Sequence, residues 1–166
     1  MQYRFNINLI LCENFDEENK TIYKMFNEIT TDADHTATFS LVTFLNGFGD
    51  EEYDLEFALH YFLMEPERDK NGKNRGIYLG AIDFIRSNSN QPNGEEGGEK
   101  SGTFAEMRIN KIPFLHSAEY RIEAYKVEER LKPDVDYVEL RKKSAEYRKN
   151  GELVSMVKFD VKFPKK

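Results

Sequence analysis

The stretch Thr103–Glu128, TFAEMRINKIPFLHSAEYRIEAYKVE, decides the fold class of this chain. In its first run apolar and polar residues alternate one by one: Ala105, Met107 and Ile109 against Glu106, Arg108 and Asn110. The second run repeats the pattern, with Tyr120, Ile122 and Ala124 against Glu119, Arg121 and Glu123. A period of two turns one set toward a core and the other toward water, as in a β-strand. Pro113 has no N–H to give to a sheet, so it marks the corner between the two strands.

Apolar runs of the same kind fill most of the remaining chain. They predict six further strands: Tyr3–Leu11, Thr21–Ile29, Ala37–Leu45, Tyr53–Met64, Ile77–Arg86 and Leu153–Phe163. Ala37–Leu45 is apolar on both faces, which favours a central position in its sheet. Tyr53–Met64 and Ile77–Arg86 are predicted to form a long hairpin. In the first of these strands Phe57 faces the core and His60 lies on the polar face.

Two segments break this rhythm. Pro133–Lys149 has a proline near its start, acids before bases, and Asn150-Gly151 after its end, which predicts a helix laid over a sheet edge. Residues 87–102 combine four glycines with three glutamates, which predicts a flexible loop. About eight strands without a βαβ rhythm predict a mainly β fold, an antiparallel β-sandwich over residues 1–166 with one C-terminal surface helix. A closed barrel is the alternative.

The composition excludes several classes of function. The 166 residues carry a net charge of −6, which disfavours non-specific binding to nucleic acid. No run is long and apolar enough for a membrane span or a signal peptide, so we expect a cytoplasmic protein that binds no membrane. Cys12 is the single cysteine, which excludes an internal disulfide, and its place in an apolar strand predicts a small buried hydrophobe.

The sequence contains no readable catalytic motif. The nucleophile elbow, the zinc-protease helix, the Walker loop and the dinucleotide fingerprint are all missing from it. His35, His60 and His116 stand far apart without a second ligand at helical or strand spacing, and we expect ordinary surface histidines. The prediction is therefore a protein that is not an enzyme, with no catalytic residue, no metal ligand and no cofactor.

Three stretches carry a resemblance to a known group of proteins. FNINLILCENF is followed by TIYKMFNEI, and INKIPFLHSAEYRIEAY precedes a final strand. In this order they resemble an uncharacterised bacterial family of small immunoglobulin-like or C2-like β-sandwich proteins. The resemblance implies a strand, a proline-containing corner and a strand in the third stretch, and it implies no activity.

Aromatic and acidic residues concentrate in two predicted loops, Glu13–Lys20 and Asn46–Glu52. The candidate binding residues are Phe15 and Asp16 in the first, and Phe48, Asp50, Glu51 and the adjoining Tyr53 in the second. An exposed aromatic ring among carboxylates offers an apolar anchor and attracts a basic partner. We therefore predict a non-enzymatic protein-binding or adaptor module, whose unidentified protein partner meets these loops or a strand edge. Solubilising turns are the plainer interpretation of both loops.

Two other functions remain open at this point. One is a phage or mobile-element accessory protein that acts on a host factor. The other is a calcium-dependent binding sandwich, because carboxylates also cluster at Asp32 and Asp34 in a further loop. The strand Ala37–Leu45 sends that loop and Asn46–Glu52 to opposite ends of a sandwich, so a calcium site would need further ligands.

Overall fold

A computed structural model describes residues 4–48, 55–68, 70–72, 74–86 and 103–166. These residues form nine strands and two short helices, numbered in chain order. The strands are β1 (Arg4–Asp16), β2 (Thr21–Met25), β3 (Glu28–Thr30), β4 (Thr36–Phe48), β5 (Leu55–Arg68), β6 (Asn74–Arg86), β7 (Thr103–Pro113), β8 (Glu119–Val127) and β9 (Glu152–Lys162). The helices are α1 (Tyr137–Lys142) and α2 (Ser144–Asn150). The predicted flexible loop 87–102 lies outside the described residues.

The strands form two sheets, one of four strands in the order β2-β1-β4-β7 and one of five in the order β3-β9-β8-β5-β6. Neighbours pair antiparallel except β3 and β9, which are parallel. The predicted mainly β sandwich is confirmed, as are the central position of β4 and the long hairpin of β5 and β6.

The ninth strand arises because the predicted strand Thr21–Ile29 is divided between the two sheets. Phe26 donates its N–H to the Leu11 carbonyl at 3.0 Å in the four-stranded sheet. The next carbonyl, that of Asn27, accepts from the N–H of Asp160 at 2.8 Å in the five-stranded sheet. The chain therefore crosses from one layer to the other within two residues, which a continuous alternation of side chains does not reveal.

The core lies between the inner faces of the sheets. Phe39 and Leu41 of β4 and Phe57 and Leu59 of β5 are fully or almost fully buried there, so the predicted core face of β5 is confirmed. The stretch that decides the fold joins the two layers: β7 ends at Pro113 in the four-stranded sheet, and β8 begins in the other.

The helices extend from the edge strand β6 over the outer face of the five-stranded sheet. The predicted single helix is interrupted at Lys143, and the two pieces pack over β6, β5 and β8 on the outer face of the five-stranded sheet. Leu140 of α1 enters a second buried cluster there, together with Phe62, Met64 and Tyr78. As a result β5 is buried on both of its faces.

Candidate binding edge and buried histidine

Phe15 and Asp16, predicted to bind a partner, both make contacts with other residues of this chain. After Cys12, β1 parts from β4. The half-buried Phe15 ring stacks on Phe104 of β7, with 5.9 Å between ring centroids. Phe104 in turn stacks on Phe44 of β4 at 4.5 Å. These three rings form an aromatic row on the outer face of the four-stranded sheet, beside β7.

Asp16 stabilises the turn between β1 and β2. Its Oδ1 accepts hydrogen bonds from the N–H groups of Glu18 at 3.0 Å and Asn19 at 3.1 Å, and its Oδ2 accepts from the Asn19 side chain at 2.8 Å. The Asn19 side chain, with these N–H groups, holds the pKa of Asp16 below its ordinary value. The carboxylate is thus already engaged as a turn-forming group.

The other four candidates lie at or beyond the end of β4. The strand continues to Phe48, so the predicted loop Asn46–Glu52 begins as sheet. The side chain of Phe48 and all of Asp50, Glu51 and Tyr53 lie outside the described residues. Their role in binding stays a prediction.

Two exposed apolar residues of β2 were missed by the sequence reasoning. Tyr23 is 50% exposed and Met25 is 68% exposed. They alternate with the predicted core positions of this strand, so the alternation could have identified them as residues of the opposite, exposed face. Both lie on β2, an edge strand of the four-stranded sheet.

Three of the four sheet edges are short or covered. β3 has three residues, and β2 has five with Lys24 in the left-handed region at φ 53°. Tyr137 donates its hydroxyl to the Tyr78 carbonyl of β6 at 2.9 Å, and Asp83 of β6 accepts from the Leu131 N–H at 3.0 Å. Leu131 in the segment before α1 and Tyr137 at the start of α1 therefore lie against β6.

The fourth edge, β7, is long, and no strand of the described residues lies on its outer side. It has eleven residues and pairs with β4 alone among the described strands. Its far end carries the features by which edges are normally protected, a left-handed Lys111 at φ 45° and Pro113. Between Phe104 and Ile109 the register is regular, so neither of these protective features lies in this part of the strand.

The register shows which backbone groups this edge presents. The backbone N–H of Phe26, just beyond β2, donates to the Leu11 carbonyl, so the backbone N–H and C=O of Leu11 point away from β4. Leu41 of β4 pairs with Leu11, so the backbone N–H and C=O of Leu41 point toward β7. There Leu41 pairs with Met107, whose backbone groups therefore point back toward β4. Because this direction alternates along an antiparallel strand, Glu106 and Arg108 point their N–H and C=O groups to the open side.

The side chains of β7 are fixed by the protein itself. On the outer face the Ser40 hydroxyl donates to Glu106 at 2.5 Å, and Arg108 Nη1 donates to Ser40 Oγ at 2.9 Å and to the Glu13 carbonyl. On the inner face Met107 packs over Gly80, where an added Cβ would come within 3.2 Å of its terminal methyl group. The side chains on both faces of β7 are therefore held in place.

His60 was predicted to be a surface histidine, and that prediction is wrong. The helices cover its face of β5, and it is only 1% exposed. Its Nδ1 lies 2.9 Å from the hydroxyl of Tyr78, and its ring stacks on Tyr147 at 3.9 Å. Burial lowers the pKa of His60 to about 4, against a smaller opposite effect of Asp83. The imidazole is therefore neutral at neutral pH.

A small cavity of about 40 Å³ adjoins His60 beneath the helices. Its walls combine basic, acidic and apolar residues: His60, Glu129, Arg130, Leu131, Lys132, Val135, Glu139, Leu140, Lys143 and Tyr147. That volume holds a few water molecules rather than an organic substrate. Within the described ranges no three His, Cys, Asp or Glu residues are grouped to hold a metal ion.

No helix in the described part of the chain is long and apolar enough to cross a membrane.

Comparison with known proteins found similarity of shape alone. No protein-family model matches the sequence, and no curated protein matches it. Among solved structures the chain is similar to a β-glucosidase from Listeria innocua in complex with isofagomine, at TM-score 0.44 and 6% identity over 96% of this chain and 16% of that one. It is also similar to a CARDB domain from Pyrococcus furiosus in complex with di-metal ions, at TM-score 0.42 and 8% identity over 98% of this chain and 96% of that domain.

Proposed function

We propose that this chain is a non-catalytic protein-binding module that adds an extended segment of a partner protein to the open edge of β7. The observation that carries the proposal is the regular run Phe104–Ile109, which has a hydrogen-bonded strand on one side only among the described residues. An unpaired strand edge offers a row of backbone donors and acceptors that a second strand can meet. In this proposal the partner is a protein of the cytoplasm, and neither nucleic acid nor a membrane takes part.

The two faces of β7 define the segment that fits. On the outer face, the aromatic row of Phe15, Phe104 and Phe44 lies next to the edge and favours an aromatic or long apolar side chain there. On the inner face, Met107 favours a small or apolar side chain over Gly80. The partner is therefore an extended segment with apolar residues on both faces. Phe15, predicted from the sequence to bind, contributes through this row.

The first prediction removes one backbone donor from the edge. Glu106→Pro deletes an outward N–H and leaves the ladder to β4 intact, because Glu106 does not donate to β4. Peptides of about twelve residues, long enough to span the edge, are first selected from a display library for binding to the wild-type protein. We expect Glu106→Pro to weaken their binding at least tenfold, the loss of about 1.4 kcal/mol that one such hydrogen bond and its neighbours account for.

Glu106→Ala is the matched control, since it removes the same carboxylate and keeps the N–H. It should bind the selected peptides as the wild type does. Amide hydrogen exchange gives an independent measurement: bound peptide should slow exchange at Glu106 and Arg108. Peptides that bind without slowing these two amides, or that bind Glu106→Pro as tightly as Glu106→Ala, would contradict strand addition at β7.

A further inference from the structure

We infer that the open edge of β7 also pairs with β7 of a second copy of this chain, antiparallel and centred on Met107. The inference rests on the proposed function, because it uses the same edge and the same outward backbone groups. It goes beyond it by naming one occupant of that edge. Its basis is the order of residues from Ala105 to Ile109, which reads apolar, acidic, apolar, basic, apolar.

The direction of the backbone groups restricts the registers of such a pair. Glu106 and Arg108 carry outward groups, and by the same alternation so does Phe104, so a hydrogen-bonded pair across the edge must join two residues of this alternating set. Centring on Glu106 would place two glutamates opposite each other, and centring on Arg108 would place two arginines opposite each other. Centring on Met107 places Glu106 opposite Arg108 of the second copy, and repeats this pair across the two-fold axis.

Charge complementarity therefore selects one register. Opposite charges directly across an antiparallel pair are stabilising, and like charges are destabilising. The two neighbouring registers each contain a like-charge pair at their centre, and the register centred on Met107 contains two opposite pairs. Ala105 then faces Ile109 of the second copy on the inner side, and the contact is isologous, as a two-fold dimer requires.

The contacts already made by Glu106 and Arg108 are compatible with this pairing. Ser40 donates to one carboxylate oxygen of Glu106, and Arg108 uses Nη1 for its two hydrogen bonds. The remaining oxygen and the remaining guanidinium nitrogens make no other hydrogen bond within the described residues. Both side chains are held on the outer face, so they are oriented before the copies meet.

The experiment exchanges the charges and measures mass by sedimentation equilibrium over a range of concentrations. The wild type should show a concentration-dependent dimer. Glu106→Arg alone and Arg108→Glu alone should each remain monomeric, because each places like charges opposite each other. An equimolar mixture of the two variants should form a heterodimer, since each arginine then meets a glutamate. The double variant E106R/R108E should dimerise with itself.

A cysteine at the two-fold axis tests the register by a second route. In this register Met107 forms a non-hydrogen-bonded pair with Met107 of the second copy. The Cβ atoms of such a pair are about 4.5–5.5 Å apart, close to disulfide geometry. Met107→Cys should therefore give a covalent dimer under mild oxidation. Ala105→Cys is the matched control and should give none, because it lies opposite residue 109. The native Cys12 is fully buried and adds no background.

A wild type that stays monomeric at all concentrations, a mixture of single variants that stays monomeric, or a cross-link at residue 105 as efficient as at 107 would each overturn the inference. The proposed function has its own readout. Selected peptides that slow exchange at Glu106 and Arg108 of a monomeric protein would leave strand addition standing and the dimer refuted. A dimer with these properties and no peptide protection at those amides would refute the proposed function alone.

Discussion

His60 shows how a single residue depends on neighbours that are remote in sequence. The alternation of β5 correctly placed His60 on the face of the strand opposite to the face that carries Phe57. The alternation gives the face and not what covers that face, and here α2 brings Tyr147 onto the ring at 3.9 Å. Cys12 needed no such partner to be predicted as buried, because it continues an apolar strand.

The neutral, buried state of His60 predicts a pH dependence of stability. Its pKa is about 4 in the folded chain and 6.5 ordinarily, so as pH falls the unfolded chain takes up the proton first. The free energy of unfolding that depends on this group is fully present above about pH 6.5 and is lost as the pH falls toward 4. The loss amounts to about 3 kcal/mol at most.

Urea unfolding at several pH values between 7 and 4 measures this loss. His60→Phe keeps a ring beneath Tyr147 and has no proton to gain, so its unfolding free energy should change less over the same interval. Equal slopes in the two proteins would show that His60 does not carry the dependence.

At the scale of elements, the two helices show what charge order and capping signals can predict. The signals located a helix within Pro133–Lys149, and Asp136 does cap α1 by accepting from the Glu139 N–H at 2.8 Å. Their position over a sheet face was not predictable, because the weak apolar stripe offers few anchors. Leu140 is the one buried residue of α1.

Leu140→Ala therefore tests what attaches the helices to the sheet. Leu140 is 8% exposed in the cluster with Phe62 and Tyr78, and we expect its truncation to lower the unfolding free energy by about 2 kcal/mol. Val138→Ala, at a residue of the same helix that is 59% exposed, should change it by no more than about 0.5 kcal/mol. A Leu140→Ala effect as small as that of Val138→Ala would show that the helices are attached by other contacts.

For the whole molecule, the sequence predicted the fold class, the corner at Pro113 and most strands, because each depends on local alternation. The binding edge could not be predicted in this way. An edge strand can be identified only once the order of the strands is known. That order depends on pairs of residues that are distant in sequence, such as Thr36 in β4 with Pro113 in β7. The division of Thr21–Ile29 between layers has the same cause, since it depends on β1 and β9.

The two sheets share one core, so a charge placed in it should unfold the entire chain. Phe57→Asp puts a carboxylate at a position that is 1% exposed between the layers, and we expect a loss of about 4 kcal/mol or more. Tyr23→Asp makes the same kind of change at a half-exposed residue and should leave the thermal midpoint nearly unchanged. A stable Phe57→Asp protein would contradict the assignment of the inner face.

The single thiol has a consequence for how the protein responds to oxidants. Cys12 has no exposed surface, and burial, with Glu106 second, raises its pKa above the ordinary value. Only the thiolate attacks a disulfide or a peroxide, and here it is neither formed readily nor within reach. The Cys12 thiol of the folded chain therefore stays unmodified in reducing and in oxidising surroundings, and its chemistry begins only when β1 leaves the sheet.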